Sequence, residues 1–168
     1  MPSAQQDSPR AAVPAAPSRL RVHHIAIESN CLDECVSWYR EFLGCELIWT
    51  LDTFSEVTTR RLPGIARLVE IGAGDLRLHV FERLRGSAPE TTSTTGAVQH
   101  VCVAVSSPEE LALRHDLWLR LFPRYRAAFA TADPPTDVLV DADGSQSFYA
   151  YDINGVELEL CYDPEGGA

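Results

Sequence analysis

The feature that most constrains the fold of this chain is an internal repeat. His24-Ile25-Ala26-Ile27 recurs as His100-Val101-Cys102-Val103, and each copy heads the same succession of segments. Self-similarity on this scale marks a duplicated supersecondary unit. In the first copy, a strand at 20–28 precedes a helix with an apolar stripe of Leu32, Val36, Trp38, Tyr39 and Leu43. Asn30 is expected to cap that helix and Gly44 to stop it. Strands are expected at 45–51, 66–71 and 75–81, the last two joined through Gly72-Ala73-Gly74.

In the second copy, a strand at 97–105 is followed by Ser107-Pro108-Glu109-Glu110, a capping box with proline at the first helical position. The helix it opens carries Leu111, Leu113, Leu117, Leu119 and Leu121 and runs to about Phe122. The stretch 123–144 holds a strand-like 125–130, the break Pro134-Pro135 and a short strand at 138–140. Strands at 146–151 and 156–162 close the chain through the hairpin dipeptide Asn154-Gly155. The chain thus reads βαβββ twice, an α+β fold whose two modules, at about 20–85 and 97–162, are expected to close cupped sheets around a shared cavity. At 168 residues this is one domain, 20–168. Residues 1–19, rich in Ala, Pro, Ser and Gln, read as a flexible tail.

Charge and cysteine content narrow the partners. With 14 basic and 24 acidic residues the net charge is -10, which disfavours nucleic acid and anionic membrane surfaces. No run is long and apolar enough for a membrane helix, and no secretory leader is read at the N-terminus, so a cytoplasmic protein is expected. Five cysteines without a CxxC pair imply neither a disulfide framework nor a Cys-based zinc site.

Strand alternation locates the chemistry. Ile25 and Ile27, Leu76, Leu78 and Val80, Val101 and Val103, and Leu158 and Leu160 form aliphatic faces that must pack on helices. The opposite faces then carry His24, Arg77 and His79, His100 and Cys102, and Glu157, Glu159 and Cys161. Three imidazoles and a carboxylate would converge on the cavity, a donor set suited to a divalent first-row metal. His23 is expected on the helix side, His115 solvated on its helix, and Arg83 and Arg85 at the surface. Asp141 and Asp143 resemble a calcium loop only weakly, because no glutamate follows at the required position.

Trp38-Tyr39-Arg40-Glu41-Phe42-Leu43-Gly44, Ser147-Phe148-Tyr149 and Asp152-Ile153-Asn154-Gly155-Val156-Glu157-Leu158-Glu159-Leu160, together with the repeat, resemble the vicinal oxygen chelate superfamily over residues 20–162. That group includes glyoxalase I, methylmalonyl-CoA epimerase, fosfomycin-resistance transferases, bleomycin-binding proteins and type I extradiol dioxygenases. The resemblance implies a metal held by His24, His100 and Glu159, with His79 as a fourth ligand or an acid/base. Tyr149, ten residues before Glu159, matches the tyrosine that hydrogen-bonds bound catecholate in extradiol enzymes. Ile153 departs from that pattern, in which proline is usual, and the extradiol catalytic His is absent unless His79 serves.

Three functions stay open at this point. The first is an Fe(II) extradiol dioxygenase using O2 on a small catechol, similar to the single-domain L-DOPA dioxygenases of actinobacterial antibiotic pathways. There His79 and Tyr149 would be catalytic, and Arg77 would receive the substrate carboxylate. The second is a glyoxalase- or epimerase-like isomerase or lyase with Zn, Ni, Co or Mn; the third is a metal-free drug-binding resistance protein. The resemblance also implies a homodimer in which His24 or His100 completes its neighbour's site.

Overall fold

The computed structural model describes residues 22–84 and 98–165. The expected tail and Arg85 lie outside them. Two four-stranded sheets, one per module, flank two long helices. In the first module β1 (Ile25–Glu28), α1 (Leu32–Leu43), β2 (Glu46–Leu51), α2 (Glu56–Arg61), β3 (Ile65–Ala73) and β4 (Leu76–Arg83) give the sheet order β1-β4-β3-β2. In the second, β5 (His100–Ala104), α3 (Pro108–Tyr125), β6 (Leu139–Val140), β7 (Gln146–Tyr151) and β8 (Glu157–Tyr162) give β5-β8-β7-β6. The first and last strands of each module pair in parallel and the remaining pairs are antiparallel, so the duplication extends to topology.

The predicted βαβββ order holds, with local differences. Cys31 rather than Asn30 occupies the N-cap of α1 and makes no side-chain cap, while Ser29 Oγ accepts from the Cys31 amide. Gly44 ends that helix at φ 74°, a left-handed conformation that glycine adopts without a Cβ penalty. Ser107 accepts from the Glu110 amide as the capping box requires, but the Glu110 carboxylate reaches back to Ser106 instead. α3 continues through Pro123 to Tyr125, so 125–130 is not a strand. α2, capped by Ser55, was not expected. The turn between β3 and β4 is Gly74-Asp75, one residue beyond the glycine triplet's centre.

The helices join the modules. Trp38, Tyr39 and Phe42 of α1 and Leu111, Trp118 and Leu121 of α3 are fully or almost fully buried in one continuous core with Ile71, Leu78 and Val80 of the first sheet and Phe148, Leu158 and Leu160 of the second. Polar ties cross the same boundary: Tyr39 Oη donates to Asp152 Oδ2 at 2.8 Å, Asn154 Nδ2 donates to Cys35 Sγ at 3.1 Å, and Arg114 donates to the Phe42 carbonyl. Asp152 is fully buried, and its carboxylate also accepts the Asn154 and Val156 amides. It is satisfied by the turn that links β7 to β8, as a buried carboxylate requires.

Candidate metal centre

Laterally paired residues point to the same side of a sheet, so register decides which side chains meet. β4 is central in the first module: His79 lies opposite Ala26 on one side and Glu70 on the other, and Trp49 lies opposite Glu70. These residues occupy the face away from buried Leu78, Val80 and Ile71, as alternation predicts. His24, just before β1, stacks on His79 with centroids 3.5 Å apart and planes 12° apart. Burial, assisted by the neighbouring His79 and His23, lowers the His24 pKa and keeps its ring in the neutral form that ligates metals.

Glu70 supports His79 from behind. Its Oε2 lies 2.8 Å from His79 Nε2 and its Oε1 2.6 Å from Arg77 Nη1, with the side chain 3% exposed. The His79 hydrogen bond, aided by Arg77, holds this carboxyl below the usual range. Facing an ionised carboxylate, Nε2 carries the His79 proton and Nδ1 is left as the acceptor or ligand atom. Sequence reasoning missed Glu70, although a two-residue turn at 74–75 would have set it opposite His79.

The second module repeats the register. Glu159 lies opposite Cys102 and Tyr149, as His79 lies opposite Ala26 and Glu70. His100 Nε2 is 3.2 Å from Glu159 Oε2, and Tyr149 Oη donates to Glu159 Oε1 at 2.8 Å. That hydrogen bond raises the Tyr149 pKa. The repeat therefore aligns His24 with His100, His79 with Glu159, and Glu70 with Tyr149. On the same face the Cys102 and Cys161 sulfurs are 3.3 Å apart, and burial raises the Cys102 thiol.

The expected convergence in one cavity is not met within one chain. His24 joins His79, and His100 joins Glu159 and Tyr149, but these are two half-sites on separate sheets. Among the described residues, only His23, His24 and His79 form a group of three with ligand atoms within 4.8 Å of one another. Two donors about 2.1 Å from one ion stand at most about 4.2 Å apart. The reason is the helix-to-helix core, which joins the modules through their aliphatic faces and leaves each donor face uncovered by the other module's.

Other expectations sort similarly. Arg77 borders a shallow depression of about 790 Å³ with Val22, His23, Gly74 and Asp75, but one of its guanidinium nitrogens is committed to Glu70. His23 is not on the helix side: its Nδ1 lies 2.9 Å from His24 Nδ1. Strand geometry starts only at Ile25, so alternation does not reach it. His115 faces the Thr136 carbonyl at 3.0 Å and sets its ring edge-on to Phe148, rather than being solvated. Arg83 packs against the Glu28 carboxylate and the Pro63 carbonyl. Asp141 and Asp143 build a hairpin turn closed by Ser145.

Imidazoles and one carboxylate at aligned positions fit a divalent metal of the Fe, Zn, Ni, Co or Mn class. No protein-family profile and no curated protein sequence matches the chain. Solved structures do match. A glyoxalase family protein from Bacillus cereus is 17% identical with a TM-score of 0.62, covering 88% of this chain and 97% of that one. A lactoylglutathione lyase from Agrobacterium tumefaciens is 19% identical with a TM-score of 0.57, covering 90% and 100%. A fosfomycin resistance protein from Listeria monocytogenes, complexed with Mn(II) and sulfate, is 15% identical with a TM-score of 0.54, covering 89% and 96%. At these identities the likeness establishes the shared fold.

Proposed function

We propose that this chain is a divalent-metal enzyme that acts on two neighbouring oxygens of a small substrate, and that its reaction is Fe(II)-dependent extradiol cleavage of a catechol such as L-DOPA by O2. The observation that carries the reading is Glu159, held between the His100 imidazole and the Tyr149 phenol on the same face as the aligned residues of the repeat. The site is completed by a second copy of the chain: His24 and His79 of one protomer meet His100 and Glu159 of its partner in a cytoplasmic homodimer. Among the described residues no helix is long and apolar enough to cross a membrane, and all five cysteines are free thiols.

His24, His100 and Glu159 would hold Fe(II), which would supply Lewis acidity toward both catechol oxygens. His79, with Nε2 fixed on Glu70, offers Nδ1 to accept a catechol proton and later return it. The Tyr149 hydroxyl orients the Glu159 carboxylate and donates to a substrate oxygen when turned toward it. The guanidinium nitrogens of Arg77 not engaged by Glu70 are placed to receive the carboxylate of an amino-acid substrate. A glyoxalase- or epimerase-like isomerase or lyase is the second reading. It is favoured by the closeness of His79 to His24, which puts a fourth ligand for Zn, Ni, Co or Mn within reach once the two rings turn out of their stack.

The test is metal content as purified, then anaerobic Fe(II) loading and oxygen uptake with a catechol panel including L-DOPA. Oxygen consumption with a yellow ring-opened product is expected. Stoichiometric zinc, nickel or cobalt without oxygen uptake would assign the isomerase or lyase reading, and a protein binding no metal would leave a drug-binding protein. Mixing tests the shared site. A His24→Ala/His79→Ala chain and a His100→Ala/Glu159→Gln chain, each inactive alone, are expected to regain one intact site per heterodimer. No recovery after subunit exchange would refute a site built from two chains.

A further inference from the structure

We infer that His23, His24 and His79 form a metal-holding site within a single protomer, taking a divalent first-row ion such as Zn(II) or Co(II) without any donor from the second module. The inference rests on the reading above in that it shares His24 and His79, and it adds His23, to which neither repeat nor alternation assigns a role. Three observations carry it. The three ring nitrogens lie within 4.8 Å of one another. The His23 and His24 Nδ1 atoms, 2.9 Å apart, have the spacing of two adjacent ligands at right angles, about 2.9 Å for metal–nitrogen bonds near 2.05 Å. The third ring has its far nitrogen on a nearly buried carboxylate, Glu70, as metal-bound histidines do, and a turn out of its stack on His24 brings Nδ1 to the ion.

His23 borders the depression beside Arg77 and Asp75, so an ion reaches the site from solvent. The site therefore serves to load the protomer. When a second chain brings His100 and Glu159 to the ion, they take over from His23, which stands outside the aligned positions of the repeat, and from His79, whose Nδ1 is then free for proton transfer.

The experiment uses the full chain and reads Co(II) absorption with Zn(II) competition rather than turnover. A His100→Ala/Glu159→Gln chain is expected to keep one metal per chain. Adding His23→Ala is expected to weaken binding by at least tenfold. His23 is exposed, so circular dichroism and a His23→Gln variant control for misfolding. If His100→Ala/Glu159→Gln removes metal binding while His23→Ala alone leaves it unchanged, the inference is overturned and the shared site stands. If His23-dependent binding persists but mixed variants never complement, the shared site fails and the protomer site stands.

Discussion

Replacing Tyr39 by phenylalanine removes one oxygen from the centre of the molecule. Tyr39 is fully buried on α1, and its hydroxyl donates at 2.8 Å to Asp152 Oδ2, also fully buried, in the turn between β7 and β8. The carboxylate keeps three donors after the change: the Val156 amide at 2.7 Å and the Asn154 amide at 2.8 Å on Oδ1, and Asn154 Nδ2 at 3.1 Å on Oδ2. A hydrogen bond to a charged group contributes about 1.5–3 kcal/mol, and the phenyl ring fills nearly the same volume, so a loss of about 2 kcal/mol is expected. That is a large share of an ordinary domain's stability. Burial raises the Asp152 carboxyl above its usual value, whereas the Tyr39 hydrogen bond favours the ionised form. The Tyr39→Phe deficit is therefore largest above the folded-state pKa and shrinks as pH falls through it. Urea unfolding followed by fluorescence of buried Trp38 and Trp118 measures it, at neutral pH and in a series toward acid. A deficit below about 0.5 kcal/mol, or one that does not change with pH, would refute this account of the network.

Asp152→Asn should flatten the pH dependence that the raised carboxyl imposes on the wild type, whose Asp152 contribution is present below the unfolded pKa and lost as pH rises through the folded one; denaturation midpoints across pH report it. Gly44→Ala should cost about 1 kcal/mol in thermal or urea unfolding from backbone strain alone, since φ is 74° and a Cβ there would meet nothing within 4 Å. Cys35 and Cys45, buried and pushed up to about 12 and about 11, should resist thiol reagents at pH 8 in the folded protein, whereas all five cysteines react in denaturant; early labelling of either by mass spectrometry would contradict the core described here. Tyr149→Phe should lower catechol turnover at least tenfold with metal content unchanged, as checked by oxygen uptake and metal analysis of the same sample.

Much of the fold was legible because duplication and alternation are local signals. His24-Ile25-Ala26-Ile27 and its repeat announced two modules, and parity alone put His79, His100 and Glu159 on the donor faces, where register confirms them. His23 escaped because it precedes the strand, so no period governs its direction. Glu70 escaped because its partner is fixed by the turn at 74–75, and moving a hairpin turn by one residue changes every cross-strand neighbour. α3 outran its predicted end because Tyr125, past Pro123, finds core contacts, a tertiary preference that no window of sequence contains. How the modules meet was equally hidden. Whether two sheets face each other or back onto each other's helices depends on which faces bury best, and both arrangements use the same strands.

The parallel pairing of first and last strands bears on the order in which each module assembles. β2, β3 and β4 are antiparallel neighbours, with β3 and β4 joined by a tight turn, whereas β1 pairs with β4 across the whole length of the module. The same holds for β5 and β8. This is the contact of greatest sequence separation in each module, hence the one whose loop closure is slowest. His24 precedes β1 and His79 sits on β4; His100 and Glu159 sit on β5 and β8. An ion held as proposed across either pair would act as a clasp on that seam, slowing its reopening and coupling metal supply to how long a newly made chain survives in the cell.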